Sequence, residues 1–120
     1  MLLKWINQVP AFTAGDETRI REVLHPKNEK LDLPYSLAHA SLEPEEHSLP
    51  HRLRSSTEVY IVLEGRGLVL CDGEQRKLEP GAVVLIPPGA EQQVLNTGKT
   101  TLRFLCIVSP PWRAEDEIVE

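Results

Sequence analysis

Several protein classes are closed to this chain by what it lacks. Cysteine occurs only at Cys71 and Cys106, without metal-type spacing and each inside an apolar run, which excludes a disulfide framework and predicts two buried free thiols. No basic run or stripe breaks a net charge of −5, so nucleic acid is not an expected partner. The opening stretch MLLKWINQVP is interrupted at Lys4 and holds no apolar run long enough for a signal peptide or a membrane span; the expectation is a cytoplasmic protein without a membrane partner. Helix-length apolar periodicity is missing from Tyr35 onward.

What is present is a succession of short β-branched and aliphatic runs separated by turn residues, the pattern of an all-β sandwich or barrel. Strands are predicted at Tyr35–Leu42, Glu58–Leu63, Gly67–Cys71, Gln75–Leu78, Val83–Ile86, Gln92–Leu95 and Thr101–Val108. Glu64-Gly65-Arg66-Gly67 and Asp72-Gly73 supply the positive φ that tight hairpins require, and Pro87-Pro88-Gly89 and Asn96-Thr97-Gly98 are turn sequences. With 120 residues, one domain is expected: an N-terminal arm and strand over 1–34, a barrel core over 35–109 and an acidic tail over 110–120 read as a solvated terminus. In the arm, Gly15-Asp16 followed by Ile20, Val23 and Leu24 fits a capped short helix, but Thr18, Ile20, Glu22 and Leu24 alternate, and the strand is the reading preferred. His25-Pro26 closes that element.

The chemistry-bearing residues gather around His51. His47 and His51 share a face but stand about 13 Å apart on an extended strand, too far to share an ion, and the natural second ligand position, about 7 Å along, is Leu53. Glu58 begins the Val-rich strand with Tyr60 and Val62 on its face, so a carboxylate and a phenol point into an apolar surface. A carboxylate so placed must be exposed at the mouth, paired or metal-bound. Gln92 opens another strand beside it. Two readings of His51 stay open, as a metal ligand or as an imidazole hydrogen-bonded to Glu58; in the second, the pair can act as general acid and base. His25, His39 and His47 are read as surface, interface or structural histidines, with His47 the best placed to line the mouth. Arg103 either faces a partner subunit or reaches an acid such as Glu64.

At these residues the chain resembles the cupin superfamily. His51, Glu58 and Gly65 fall in register with the first cupin motif, while Glu45 replaces its leading Gly and Leu53 its second His; Gly81, Pro87, Gly89 and Asn96 match the second motif, where Gln92 replaces the third His. Ile20-Arg21-Glu22, His25-Pro26, Ser36-Leu37-Ala38 and Phe104-Leu105-Cys106 before Pro-Pro-Trp extend the resemblance to small single-domain cupins. The resemblance implies a jelly-roll β-barrel and a site at His51, Glu58 and Gln92 for a divalent metal (Mn, Fe, Zn or Ni), weakly bound or absent because two imidazoles are gone. Gln92 would offer only an amide oxygen, which shifts preference toward harder ions. Two functions are expected from it: a small-molecule enzyme such as a sugar or sugar-phosphate isomerase or epimerase, with Glu58, Tyr60 and His51 catalytic, or a metal-free ligand-binding or sensor module. An oxygenase is disfavoured by the missing two-His-one-carboxylate set. A homodimer is expected because small open barrels cover exposed sheet faces.

Overall fold

The computed structural model describes residues 1–120 as eleven strands in two facing antiparallel sheets, a jelly-roll β-barrel. In chain order they are β1 (Ala11–Thr13), β2 (Arg19–Leu24), β3 (Ser36–Leu42), β4 (His51–Leu53), β5 (Thr57–Glu64), β6 (Gly67–Cys71), β7 (Glu74–Leu78), β8 (Val83–Ile86), β9 (Gln92–Asn96), β10 (Leu102–Ser109) and β11 (Glu117–Val119). The larger sheet runs β1-β2-β3-β10-β5-β8 and the smaller β11-β4-β9-β6-β7. Each of the seven predicted strands is present with ends displaced by at most a residue or so, and the arm forms the preferred strand, β2. After it, His25 caps the single helical turn α1 (Pro26–Glu29), its Nδ1 accepting the Lys27 N–H at 3.1 Å.

The turns follow their residues. Asp72 and Gly73 both take positive φ, 47° and 83°, the backbone of a two-residue hairpin between β6 and β7. Gly65, at φ 88°, admits no side chain for a second reason: a Cβ there would lie 2.6 Å from the Thr101 carbonyl oxygen.

Residue size along β3 and β10 decides where the barrel is filled and where it is hollow. At one end Leu42, Val62, Val69, Leu78, Val94 and Leu102 interlock with almost no exposure, each such burial stabilising by roughly 1.5–3 kcal/mol. Toward the other end the inward positions become Ser36, Ala38 and Ala40 on β3 and Cys106 and Val108 on β10, too small to meet the opposite sheet. A cavity results. Tyr60 and Phe104 close its inner end edge-to-face, ring centroids 5.3 Å apart.

Two expectations are corrected. The acidic tail is not a solvated terminus: Ala114–Asp116 form a 3-10 turn, β11 pairs with β4 (Glu117 opposite Leu53, Val119 opposite His51), and Asp116 is buried. Acidic composition suggested solvent, but the barrel needs an edge for β4 and the tail supplies it. The two cysteines are free, but only Cys106 is buried; Cys71, near the end of β6, is half-buried.

Candidate active site

The cavity holds about 230 Å³, and thirteen of its twenty-three wall residues are hydrophobic. Exposed Phe12 and Trp112 mark its rim. Its ionisable groups include Asp16 from the β1–β2 loop, Glu22 from β2, His51 from β4, Glu58 and Tyr60 from β5, and Glu117 from β11. His51 sits opposite Gln92 in the β4–β9 register, so the two motif positions meet as the sequence implied.

Gln92, only 1% exposed, is turned to support rather than to the cavity wall: its Oε1 accepts the Tyr60 hydroxyl proton, while its Nε2 has no well-formed hydrogen bond. The amide nevertheless lies close enough to Glu58 to favour its ionised form. Tyr60→Phe would strand the amide's acceptor as well, and a loss of about 1–2 kcal/mol is expected in chemical denaturation.

Glu58 is 9% exposed, and burial pushes its carboxyl up to about 7, against the opposing pull of His51 and Gln92; the negative charges of Asp16 and Glu117 add to the rise. The same burial raises the Tyr60 phenol and the Cys106 thiol, each further raised by Glu58. A carboxyl that titrates near neutrality inside a small cavity is equipped to give and take a proton.

Asp16, His51 and Glu117 converge: one ligand atom from each lies within 4.8 Å of the others. Each is held from behind. Asp16 Oδ1 accepts the Thr18 N–H at 3.0 Å, an Asx turn in place of the helix cap that Gly15-Asp16 also fitted, and the Asp16 carbonyl accepts Leu49 N–H at 2.7 Å. His51 Nδ1 is 2.8 Å from the Leu49 carbonyl, which can only accept, so Nδ1 carries the proton and Nε2 faces Asp16 Oδ2 at 3.5 Å. Glu117 Oε2 accepts the Trp112 indole N–H at 2.8 Å. Trp112 is itself fixed, its N–H on Ser36 Oγ at 3.0 Å and its carbonyl on His25 Nε2 at 2.8 Å.

These three groups fit a divalent cation, as one imidazole nitrogen and two carboxylates oriented by neighbours, a set suited to hard ions. Leu53 offers the site nothing but apolar wall. Of the residues read from the sequence, His51, Glu58 and Tyr60 line the cavity and Gln92 stands behind them; the metal-type cluster contains His51 but not Glu58 or Gln92, and its other members, Asp16 and Glu117, were not read from the sequence. Both lie far from His51 in sequence, and the only signal for Glu117 was an acidic tail that reads equally as solvent-exposed.

The remaining histidines lie elsewhere. His25 is structural, as described. His39 is buried on the outer face of the larger sheet, opposite Arg21 and Leu105, and burial first, then the charges of Arg103 and Arg21, lower its pKa. His47 sits in an isolated bridge to Leu95 with Nδ1 near the Ser48 carbonyl, outside the cavity. Arg103 reaches Glu64 at 3.5 Å, the acid expected for it.

Comparison with known proteins places this geometry among barrels of one kind. The family model described as "Cupin domain" matches residues 38–108. An uncharacterized protein of Methanocaldococcus jannaschii is 36% identical over 115 residues, 95% of this chain and 91% of that one. A glucose-6-phosphate isomerase of Pyrococcus horikoshii is 42% identical over 62 residues, 48% of this chain but 33% of the isomerase, so this chain matches about a third of that enzyme's length. Among solved structures, a predicted oxalate decarboxylase from Thermotoga maritima superposes with a TM-score of 0.80 at 19% identity, covering 90% of this chain and 98% of the other. A cupin 2 conserved barrel domain protein from Salinispora arenicola gives 0.76 at 22% identity, covering 96% and 91%. At those identities the likeness is one of fold.

Proposed function

The chain belongs to the cupin family, and from that premise we propose that it binds a small molecule in the barrel cavity and moves a proton on it, with Glu58 as the acid and base. The observation that carries this reading is the Glu58 carboxyl, buried in a cavity of about 230 Å³ and titrating near 7. A group poised at the ambient pH donates and accepts with nearly equal ease, as an isomerase or epimerase requires when it removes a proton from one carbon and returns one to another. Tyr60, hydrogen-bonded to Gln92, stands two residues further along the same face of β5 and offers its phenol oxygen to a ligand. His51 orients the ligand through Nε2. A divalent cation such as Mn, held by Asp16, His51 and Glu117, would supply Lewis-acid polarisation of a ligand oxygen.

The partial likeness to the Pyrococcus isomerases favours aldose–ketose or epimerisation chemistry over oxygen chemistry. Hydrogen–deuterium exchange tests it with three-carbon carbonyl compounds small enough for the cavity: dihydroxyacetone, aminoacetone and pyruvate, one neutral, one cationic and one anionic. In D₂O, loss of the α-proton signal by NMR is expected to run faster than buffer background for at least one of them, with a rate that rises through about pH 7, and to return to background in Glu58→Gln. Saturable binding without exchange would favour the metal-free binding module. The absence of both exchange and binding would overturn the reading.

A further inference from the structure

Resting on the small-molecule reading, we propose that the cavity selects an organic cation, a primary ammonium carried on a compact apolar or aromatic group, and turns anions away. The first ground is charge. The cavity wall contains the carboxylates of Asp16, Glu22, Glu58 and Glu117 and no Lys or Arg. None of these four makes a salt bridge to a Lys or Arg: Asp16 faces His51, Glu22 accepts from the Asn28 amide, and Glu117 accepts from the Trp112 indole. A phosphate or carboxylate entering here would meet like charge from several carboxylates and no guanidinium or ammonium to receive it, which costs more in a cavity than at a surface.

The second ground is the number and placement of acceptors. Because His51 Nδ1 donates to the Leu49 carbonyl, Nε2 is turned toward Asp16 Oδ2 at 3.5 Å, and the two present one polar edge to the cavity. An ammonium group has three N–H donors to share among neighbouring acceptors. The cluster supplies three acceptors, on Asp16, His51 and Glu117, within 4.8 Å of one another.

The third ground separates an organic cation from a bare metal ion. Of the six aromatic residues in the chain, Phe12, Tyr60, Phe104 and Trp112 line this one cavity, beside Ile20 and Leu53. A metal ion makes no use of such walls. A cationic head on an apolar body uses both: carboxylates and ring faces attract the charge, and the aliphatic wall takes the body.

Benzylamine, benzyl alcohol and benzoate test this as nearly isosteric cation, neutral and anion, with the metal-free chain titrated by calorimetry and by tryptophan fluorescence. Benzylamine is expected to bind at least tenfold more tightly than benzyl alcohol, and benzoate not measurably. Asp16→Asn and Glu117→Gln are each expected to narrow the preference for benzylamine over benzyl alcohol at least threefold. The three-probe comparison on the unaltered chain keeps the test decisive should a variant fail to fold. Equal binding of amine and alcohol, or binding of benzoate, would overturn the cation selection while leaving the small-molecule reading intact. Micromolar Mn²⁺ binding by a chain that takes up none of the three compounds would overturn it in favour of a metal site. Silence with all three, together with silence toward the three-carbon panel, would remove both readings.

Discussion

Glu58→Gln is expected to make the protein more stable and inactive at once. At pH 8, chemical denaturation should show the metal-free variant more stable than the parent by about 3 kcal/mol, a Tm gain on the order of 10 °C, while at pH 4 the two should agree closely. The sign follows from the direction of the shift. Glu58 holds its proton more tightly folded than unfolded, about 7 against 4.5, so the stability linked to that proton is fully present below pH 4.5 and lost as pH rises through 7. Above that, the folded state carries an ionised carboxyl in a wall of Tyr60, Cys106 and Val108, offset only in part by His51 and the Gln92 amide. A neutral glutamine of the same shape removes that penalty, and with it the group that exchanges a proton. A variant that loses stability at pH 8, or a difference that does not vary between pH 4 and pH 8, would contradict a buried, neutral-titrating Glu58. A residue retained at such a cost to the fold is one that function requires.

The barrel was legible in the sequence because its information is local. Alternation in β3, β5 and β10 fixes which side chains face inward, and Asp72-Gly73 and Gly65 demand their turns by conformation alone. His51, Glu58 and Gln92 were legible for the related reason that motif spacing along adjacent strands sets their register. The other half of the site is not local. Asp16 reaches His51 through a loop that a backbone bond ties to Leu49, and Glu117 arrives on a three-residue strand that pairs with β4. Neither carries a periodicity. Short strands such as β1, β4 and β11 gain their stability from the sheet they join, so propensity along the chain says little about them. The hollow itself was latent in Ser36, Ala38 and Ala40, whose small size matters only once the opposite sheet is known.

Asp116→Ala is expected to cost about 3–4 kcal/mol and to abolish ligand uptake without touching a cavity residue. The Asp116 carboxylate accepts the Ser55 N–H at 2.9 Å, the Ser55 hydroxyl at 2.6 Å and the Ser56 N–H at 3.2 Å, with Arg113 at 3.5 Å, so its removal leaves donors at the start of β5 unpaired. The next residue is Glu117. Freeing the tail withdraws that carboxylate from Asp16 and His51, and benzylamine affinity should fall at least as far as in Glu117→Gln; retained affinity in a destabilised variant would show that the tail is no part of the site. The pH dependence runs opposite to that of Glu58. Burial pushes Asp116 up, but the Ser55 and Ser56 donors outweigh it and hold its pKa below the ordinary 3.8. Its stabilisation is therefore present above pH 3.8 and lost as pH falls through the lower folded value, so the gap between parent and Asp116→Ala should close in acid while that of Glu58→Gln opens in base. One carboxyl is surrounded by donors and stabilises the fold when charged. The other is surrounded by apolar wall and further carboxylates, and its charge waits for a cation or a proton.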